Sequence, residues 1–243
     1  MCIVTLSFGL TGVKGSALRS VLARYRNALV VLAASVLAIA LTVQLLAPAS
    51  APNLAQPRHL DRLQTLTESW ARGDVIALVR HVERCDRSRA ACLGPVDGVT
   101  LRATSTARRL GADFQHLGLQ SVDVYSSLLT RARQTADFMF ERPVQPQDWL
   151  FNCRGSMLRD ALKHKVAGRN LILVTHSECM DQLEKSMHVA TDTTFSYGAS
   201  LFINAPGTNT PPQMLGFIET QDWKKVLPAQ VASVHEEADM PHL

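Results

Sequence analysis

The stretch VIALVRHVER, residues 75–84, decides the fold. It begins as an uninterrupted apolar run, which predicts a buried strand, and ends in Arg80, His81, Glu83 and Arg84 within five positions. Such a cluster at the end of a buried strand is costly unless it binds something. Upstream, 59–72 has a helical period through Leu60, Leu63, Leu66 and Trp70, and Gly73-Asp74 breaks it. Downstream, LILVTH at 171–176 repeats the pattern, a fully buried strand running into a polar loop at His176.

Between and beyond these strands the chain alternates. Thr100 is positioned to cap a helix with the apolar face Ala103, Ala107, Leu110, Phe114 and Leu117, and Gly118 stops it. VDVYSS at 122–127 predicts a strand, 130–140 and 154–166 predict helices, and 199–203 and 214–218 predict the last strands. Alternation of this kind implies an α/β sandwich, in which ligands gather beyond the carboxyl ends of the strands. Arg80-His81, Ser126-Ser127 and His176 all fall there.

With 243 residues, 47% of them hydrophobic, the chain has enough apolar material for one sizeable core. The net charge of +4 misleads: residues 1–51 hold Lys14, Arg19, Arg24 and Arg26 and no acid, so the remainder has 25 − 4 = 21 bases against 21 acids. A neutral body argues against a nucleic-acid footprint. Residues 27–57 carry no charge, and 28–47 are apolar apart from Ser35, Thr42 and Gln44, long enough to cross roughly 30 Å of hydrocarbon. The expected organisation is a cytoplasmic basic flank (1–27), a transmembrane signal anchor or signal sequence (28–47), an extended linker (48–57), a catalytic domain (58–227) and a polar tail (228–243). Bases precede the apolar run and none follows until Arg58, so the positive-inside tendency places the body in the periplasm, anchored to the inner membrane or released by cleavage.

Imidazole is a competent nucleophile at neutral pH, and guanidinium groups beside it neutralise phosphoryl oxygens and offer bidentate contacts. Ser127 to Ala136, where a strand gives way to a helix around Arg131, presents free N–H groups and the positive end of a helix dipole, a natural phosphate seat. His176 is placed to donate to a phosphoryl oxygen.

The order RH, then S-x-x-x-R-A-x-Q-T-A, then TH resembles the histidine phosphatase superfamily, also called phosphoglycerate-mutase-like, over about residues 74–220. The resemblance implies a three-layer α/β/α fold with a mostly parallel central sheet. It also implies phosphorylation of His81 and a phosphate held by Arg80, Arg131 and His176, with Arg84 as a further ligand from the R-H-x-E-R form. RHVERCDRSRAAC, with GVT, DVYSS, NCRG and THSEC after it, is similar to bacterial lipopolysaccharide core heptose(II)-phosphate phosphatases, which implies phosphorylated small-molecule or glycolipid substrates of the cell envelope. One position departs from the family. Many members carry an acid in the loop after the third helix, and that loop here ends at Asn152, which cannot donate a proton usefully. Glu83, Asp148 and Glu178 are the candidate general acids, with Glu83 favoured as nearest in sequence to the nucleophile.

Cys85, Cys92, Cys153 and Cys179 are an even number in an oxidising compartment, which points to two disulfides. Pairing 85 with 92 joins neighbours in the chain, and pairing 153 with 179 ties the acid-bearing loop to the His176 loop. A zinc site on Cys85 and Cys179 fits no common ligand spacing, so no metal or other cofactor is expected. A phosphohistidine phosphatase or mutase of the same superfamily, and a non-catalytic phosphate-binding protein, are the alternatives to a phosphomonoesterase.

Overall fold

The computed structural model describes residues 15–207 and 210–227. Cys2, Lys14 and the expected tail 228–243 lie outside them. The chain forms two units, divided after Ala47. In the first, α1 (Gly15–Leu46) includes Arg24–Leu46, 23 residues with a mean hydropathy of 2.6, a candidate membrane or signal helix by length and composition. Its one described threonine hydroxyl is satisfied within the helix, Thr42 Oγ1 donating to the Ala38 carbonyl at 2.8 Å.

The second unit carries α2 (Leu60–Ala71), β1 (Val75–Arg80), α3 (Ala103–Leu117), β2 (Val122–Ser127), α4 (Thr130–Phe140) and β3 (Gln145–Gln147). After these come α5 (Met157–His164), β4 (Asn170–Thr175), α6 (Ser177–Ser186), β5 (Ser200–Asn204) and β6 (Gln213–Ile218). The strands form one sheet in the order β3-β2-β4-β1-β5-β6. β1, β2, β3 and β4 run parallel, while β5 and β6 are antiparallel to their neighbours. The architecture is the mostly parallel three-layer sandwich expected.

Residue alternation along β1 builds the layers. Val75, Ala77 and Val79 pack in one core with Leu66 of α2, Phe114 of α3 and Ala136 of α4. Ile76 and Leu78 point the other way, into a core with Met157 of α5 and Met180 of α6. A strand covered on both faces has no solvent side, which is why β1 and β4 are continuous apolar runs. The helical layer is tight: a Cβ on Gly111 of α3 would stand 1.9 Å from the Met139 carbonyl oxygen of α4, so only glycine fits there.

Four expectations need correction. Residues 48–57 are no free linker, because Ala51 and Leu54 are buried, and the Leu54 and Phe217 N–H groups donate to the carbonyls of Phe217 and Pro52, each at 2.9 Å. Thr100 does not cap α3, whose N-cap is Arg102; the Thr100 hydroxyl instead donates to Glu83 at 2.7 Å. The helix expected over 154–166 is confined to Met157–His164. The polar loop after β4 is the first turn of α6, which begins directly after His176.

Candidate active site

β1 and β4 are adjacent and parallel, with Arg80 in register with Thr175, so both histidines leave the sheet side by side at its carboxyl edge. Their rings stand 5.3 Å apart, centroid to centroid. Beside them, α4 starts at Thr130 and α6 at Ser177, so two helices of 11 and 10 residues bring their positive ends to this edge.

His81 is 3% exposed and oriented from both sides. Its Nδ1 lies 2.8 Å from the Val82 carbonyl, which only accepts, so Nδ1 carries the proton. Nε2 then presents its lone pair and accepts from Arg131 Nε at 3.1 Å. Burial, aided by the charges of His176, Arg131 and Arg80 and opposed by the Val82 carbonyl, pulls the imidazole down to about 2. The ring is therefore neutral at physiological pH, the form a nucleophile needs.

His176 is also 3% exposed; its Nε2 is 2.8 Å from Ser127 Oγ, while Nδ1 is buried without a hydrogen-bond partner. Burial, with Arg131 next, lowers it to about 4. Arg80 donates to the Phe195 carbonyl through Nη1 and lies 4.3 Å from the centroid of the Tyr197 ring, while its buried Nε lacks a partner. Burial lowers the Arg131 guanidinium, with Arg84 adding repulsion. Buried cationic groups crowded in this way favour an anion among them.

The rest of the second motif acts as scaffold. Thr135 Oγ1 accepts from the Val82 N–H at 3.1 Å, fixing the backbone after His81 to α4. Gln134 Oε1 accepts from the Val99 N–H at 2.8 Å and holds the loop that follows Arg84.

The three carboxyl candidates differ sharply. Glu83 is spanned by Arg102, whose Nε and Nη2 donate to its two oxygens at 2.8 and 2.6 Å. Those bonds, with Thr100 and Ser88, hold its carboxyl at about 2 in spite of burial. The residue favoured from sequence as proton donor is thus a poor one: it stays ionised and points at an arginine. Asp148 receives the Asn152 amide at 3.4 Å and does not line the cavity beside His176. Glu178 does line it, a space of about 350 Å³ shared with Arg131, Phe151, Cys153, Arg154 and His176. Burial raises the Glu178 carboxyl, but its own backbone N–H, His176, Ser177 and Arg80 outweigh that and hold it below the usual value.

Arg84 reaches the site's surroundings already paired, donating to Asp86 at 2.7 and 2.5 Å. The sulfurs of Cys85 and Cys92 are joined, as are those of Cys153 and Cys179, so neither Cys85 nor Cys179 is free to bind zinc. Tyr197, whose ring centroid is 5.6 Å from that of His81, was not singled out from sequence; it comes from an irregular segment with no periodic signal. Arg102 was missed for the same reason.

No family model matches the chain. It is 32% identical over 131 residues to the lipopolysaccharide core heptose(II)-phosphate phosphatase of Escherichia coli strain HS, a match covering 53% of this chain and 65% of that protein. The protein of the same name from strain IAI39 is 33% identical over 132 residues, with the same coverage. The chain thus spans just under two thirds of the curated relatives' length. Among solved structures, phosphoserine phosphatase from Entamoeba histolytica overlaps with a TM-score of 0.47 at 12% identity, over 61% of this chain and 98% of that one. Phosphoglycerate mutase from Bacillus anthracis overlaps with a TM-score of 0.45 at 12% identity, over 65% and 99%. The motif order and the curated relatives agree on a resemblance to the histidine phosphatase superfamily.

Proposed function

We propose that the chain is a phosphomonoesterase working through a phosphohistidine on His81. One observation carries the reading: a buried, neutral imidazole whose Nδ1–H is fixed on the Val82 carbonyl and whose Nε2 faces a guanidinium. A phosphoryl group entering between His81 and Arg131 takes over the Arg131 contact, with Arg80, Arg84 and His176 completing the clamp. Nε2 attacks phosphorus in line, the N–P bond forms, and the ester P–O bond breaks.

The leaving alkoxide takes a proton from Glu178, the candidate acid on the cavity wall, which has no ion pair among the described residues. Its carboxyl lies below the usual value, but an incoming phosphate dianion raises a neighbouring carboxyl and so loads the proton that the step consumes. Water then attacks phosphorus, Glu178 takes up the proton, the N–P bond breaks, and inorganic phosphate leaves.

The substrate we assign is a phosphorylated sugar of the cell envelope, such as lipopolysaccharide core heptose, acted on in the periplasm. Support comes from the curated relatives' name, the two disulfides, and a candidate membrane or signal helix preceding the body, which begins at about residue 48. The test is phosphate release by the full chain in detergent, from an aryl phosphate and from phosphorylated lipopolysaccharide core, with His81→Ala alongside. Release of both that is lost in the variant is expected. Release that persists in His81→Ala would overturn the nucleophile, and turnover of aryl phosphate alone would overturn the substrate.

A further inference from the structure

Resting on the phosphomonoesterase reading, we infer that Arg154 and Phe151 form a second subsite beside the scissile phosphate, for a sugar bearing another anionic group. Four arginines at or beside the site are otherwise engaged. Arg84 is paired with Asp86, Arg102 with Glu83, Arg80 donates to the Phe195 carbonyl and Arg131 to His81. Arg154 lines the cavity, is exposed, and among the described residues has no hydrogen-bond or ion-pair partner. A planar fork left open on a cavity wall suits a carboxylate or a phosphate.

Phe151 supplies the second feature. Its side chain is 49% exposed on the same wall, and its ring meets His176 edge to face, 6.0 Å between centroids at 82°. An aromatic face presented to the cavity next to the phosphate site suits the C–H face of a pyranose or furanose.

The wall is held in place at two points. Cys153, between Phe151 and Arg154, is bonded to Cys179 of α6, and the Gly155 N–H donates to Gln182 Oε1, also on α6, at 3.0 Å. Because α6 starts immediately after His176, the subsite and the phosphate site ride on one element. Pre-organisation of the wall's backbone lets a weak second contact add to affinity with only its own side chain left to order.

The probes are fructose 1,6-bisphosphate and fructose 6-phosphate, titrated calorimetrically into the full chain carrying His81→Ala, which on the proposed mechanism should not turn them over. The bisphosphate should bind about tenfold more tightly. Adding Arg154→Ala should erase the preference, and Arg154→Lys should restore part of it. Phe151→Ala should weaken both sugar phosphates about fivefold while leaving inorganic phosphate binding as it was. Equal affinity for the two sugars, binding of neither, or an Arg154→Ala loss equal for both would overturn the subsite. The preference together with no turnover of any phosphomonoester by the unsubstituted chain would uphold the subsite and sink the phosphatase reading, so the two failures are distinguishable.

Discussion

Two segments of this molecule, each following a parallel strand, are near copies in sequence. His81-Val-Glu83-Arg-Cys85 follows β1, and His176-Ser-Glu178-Cys179 follows β4. Each has a histidine at the strand end, a glutamate two positions later, and then a half-cystine. Their glutamates nevertheless stand in different chemistry. Glu83 is neutralised by Arg102, brought in from the start of α3, whereas Glu178 has no ion pair among the described residues and faces the cavity. Residue type and spacing placed both carboxyls beside a histidine; what the fold packs against each one separates an anchor from a proton donor.

The sharpest way to break that contrast is to neutralise each glutamate in turn. Glu178→Gln should lower kcat on an alkyl phosphate by about 100- to 1000-fold, and much less on an aryl phosphate whose leaving group needs no proton. Glu83→Gln should cost less than about tenfold on either. Steady-state kinetics with both substrates decides it, and a larger loss in Glu83→Gln would reverse the two assignments.

The histidines sharpen the comparison through pH. Both fall below the ordinary value of 6.5, to about 2 for His81 and about 4 for His176. Below pH 6.5 the unfolded chain takes up these protons and the folded chain resists them, so stability falls on acidification, by up to about 1.4 kcal/mol per pH unit for each ring. Denaturant titrations from pH 7 to 4 should show that slope reduced in His81→Asn by up to about 1.4 kcal/mol per pH unit. An unchanged slope would mean that His81 is protonated in the folded state.

How much of this was legible follows from where each signal lies. β1 and β4 could be read because strands covered on both faces must be apolar throughout, and Arg80, His81 and His176 stand out as polar residues where such runs stop. β3 was invisible: Gln-Pro-Gln has no strand pattern, and it sits on the sheet's edge, mostly exposed. Residues 48–57 have the composition of a linker, and their docking depends on two side chains, Ala51 and Leu54, meeting surfaces made far away in sequence. α6 lacks a capping side chain that would have announced its start. Arg102 and Tyr197 matter only through proximity, which no local pattern encodes.

The disulfides give a smaller contrast between the same segments. The chain-entropy estimate gives about 3.5 kcal/mol for the Cys153–Cys179 bond, across a separation of 26, and about 2.4 kcal/mol for Cys85–Cys92, across 7. Replacing each pair by alanine and measuring chemical denaturation should preserve that order. Loss of the 153–179 bond should also raise KM for sugar phosphates, because it frees the wall that carries Phe151 and Arg154. A greater loss from the 85–92 pair would show that the first loop is the more constraining.

The smallest effect isolates Glu83 as an anchor. Its carboxyl is lowered from 4.5 to about 2 chiefly by the Arg102 hydrogen bonds, with Thr100 and Ser88 adding to them. A depressed carboxyl contributes stability that is complete above its unfolded value and disappears as pH falls through its folded one. The stability gap between the unsubstituted chain and Glu83→Gln should therefore be constant above about pH 5 and close between about 4.5 and 2. Because the pair is partly open to solvent, the gap should be modest, of the order of 1 kcal/mol or less. Arg102→Gln should close the same gap from the other side, and combining the two substitutions should cost less than their sum. Strict additivity would mean that Arg102 does not act through Glu83, and Glu83 would again compete with Glu178 for the proton.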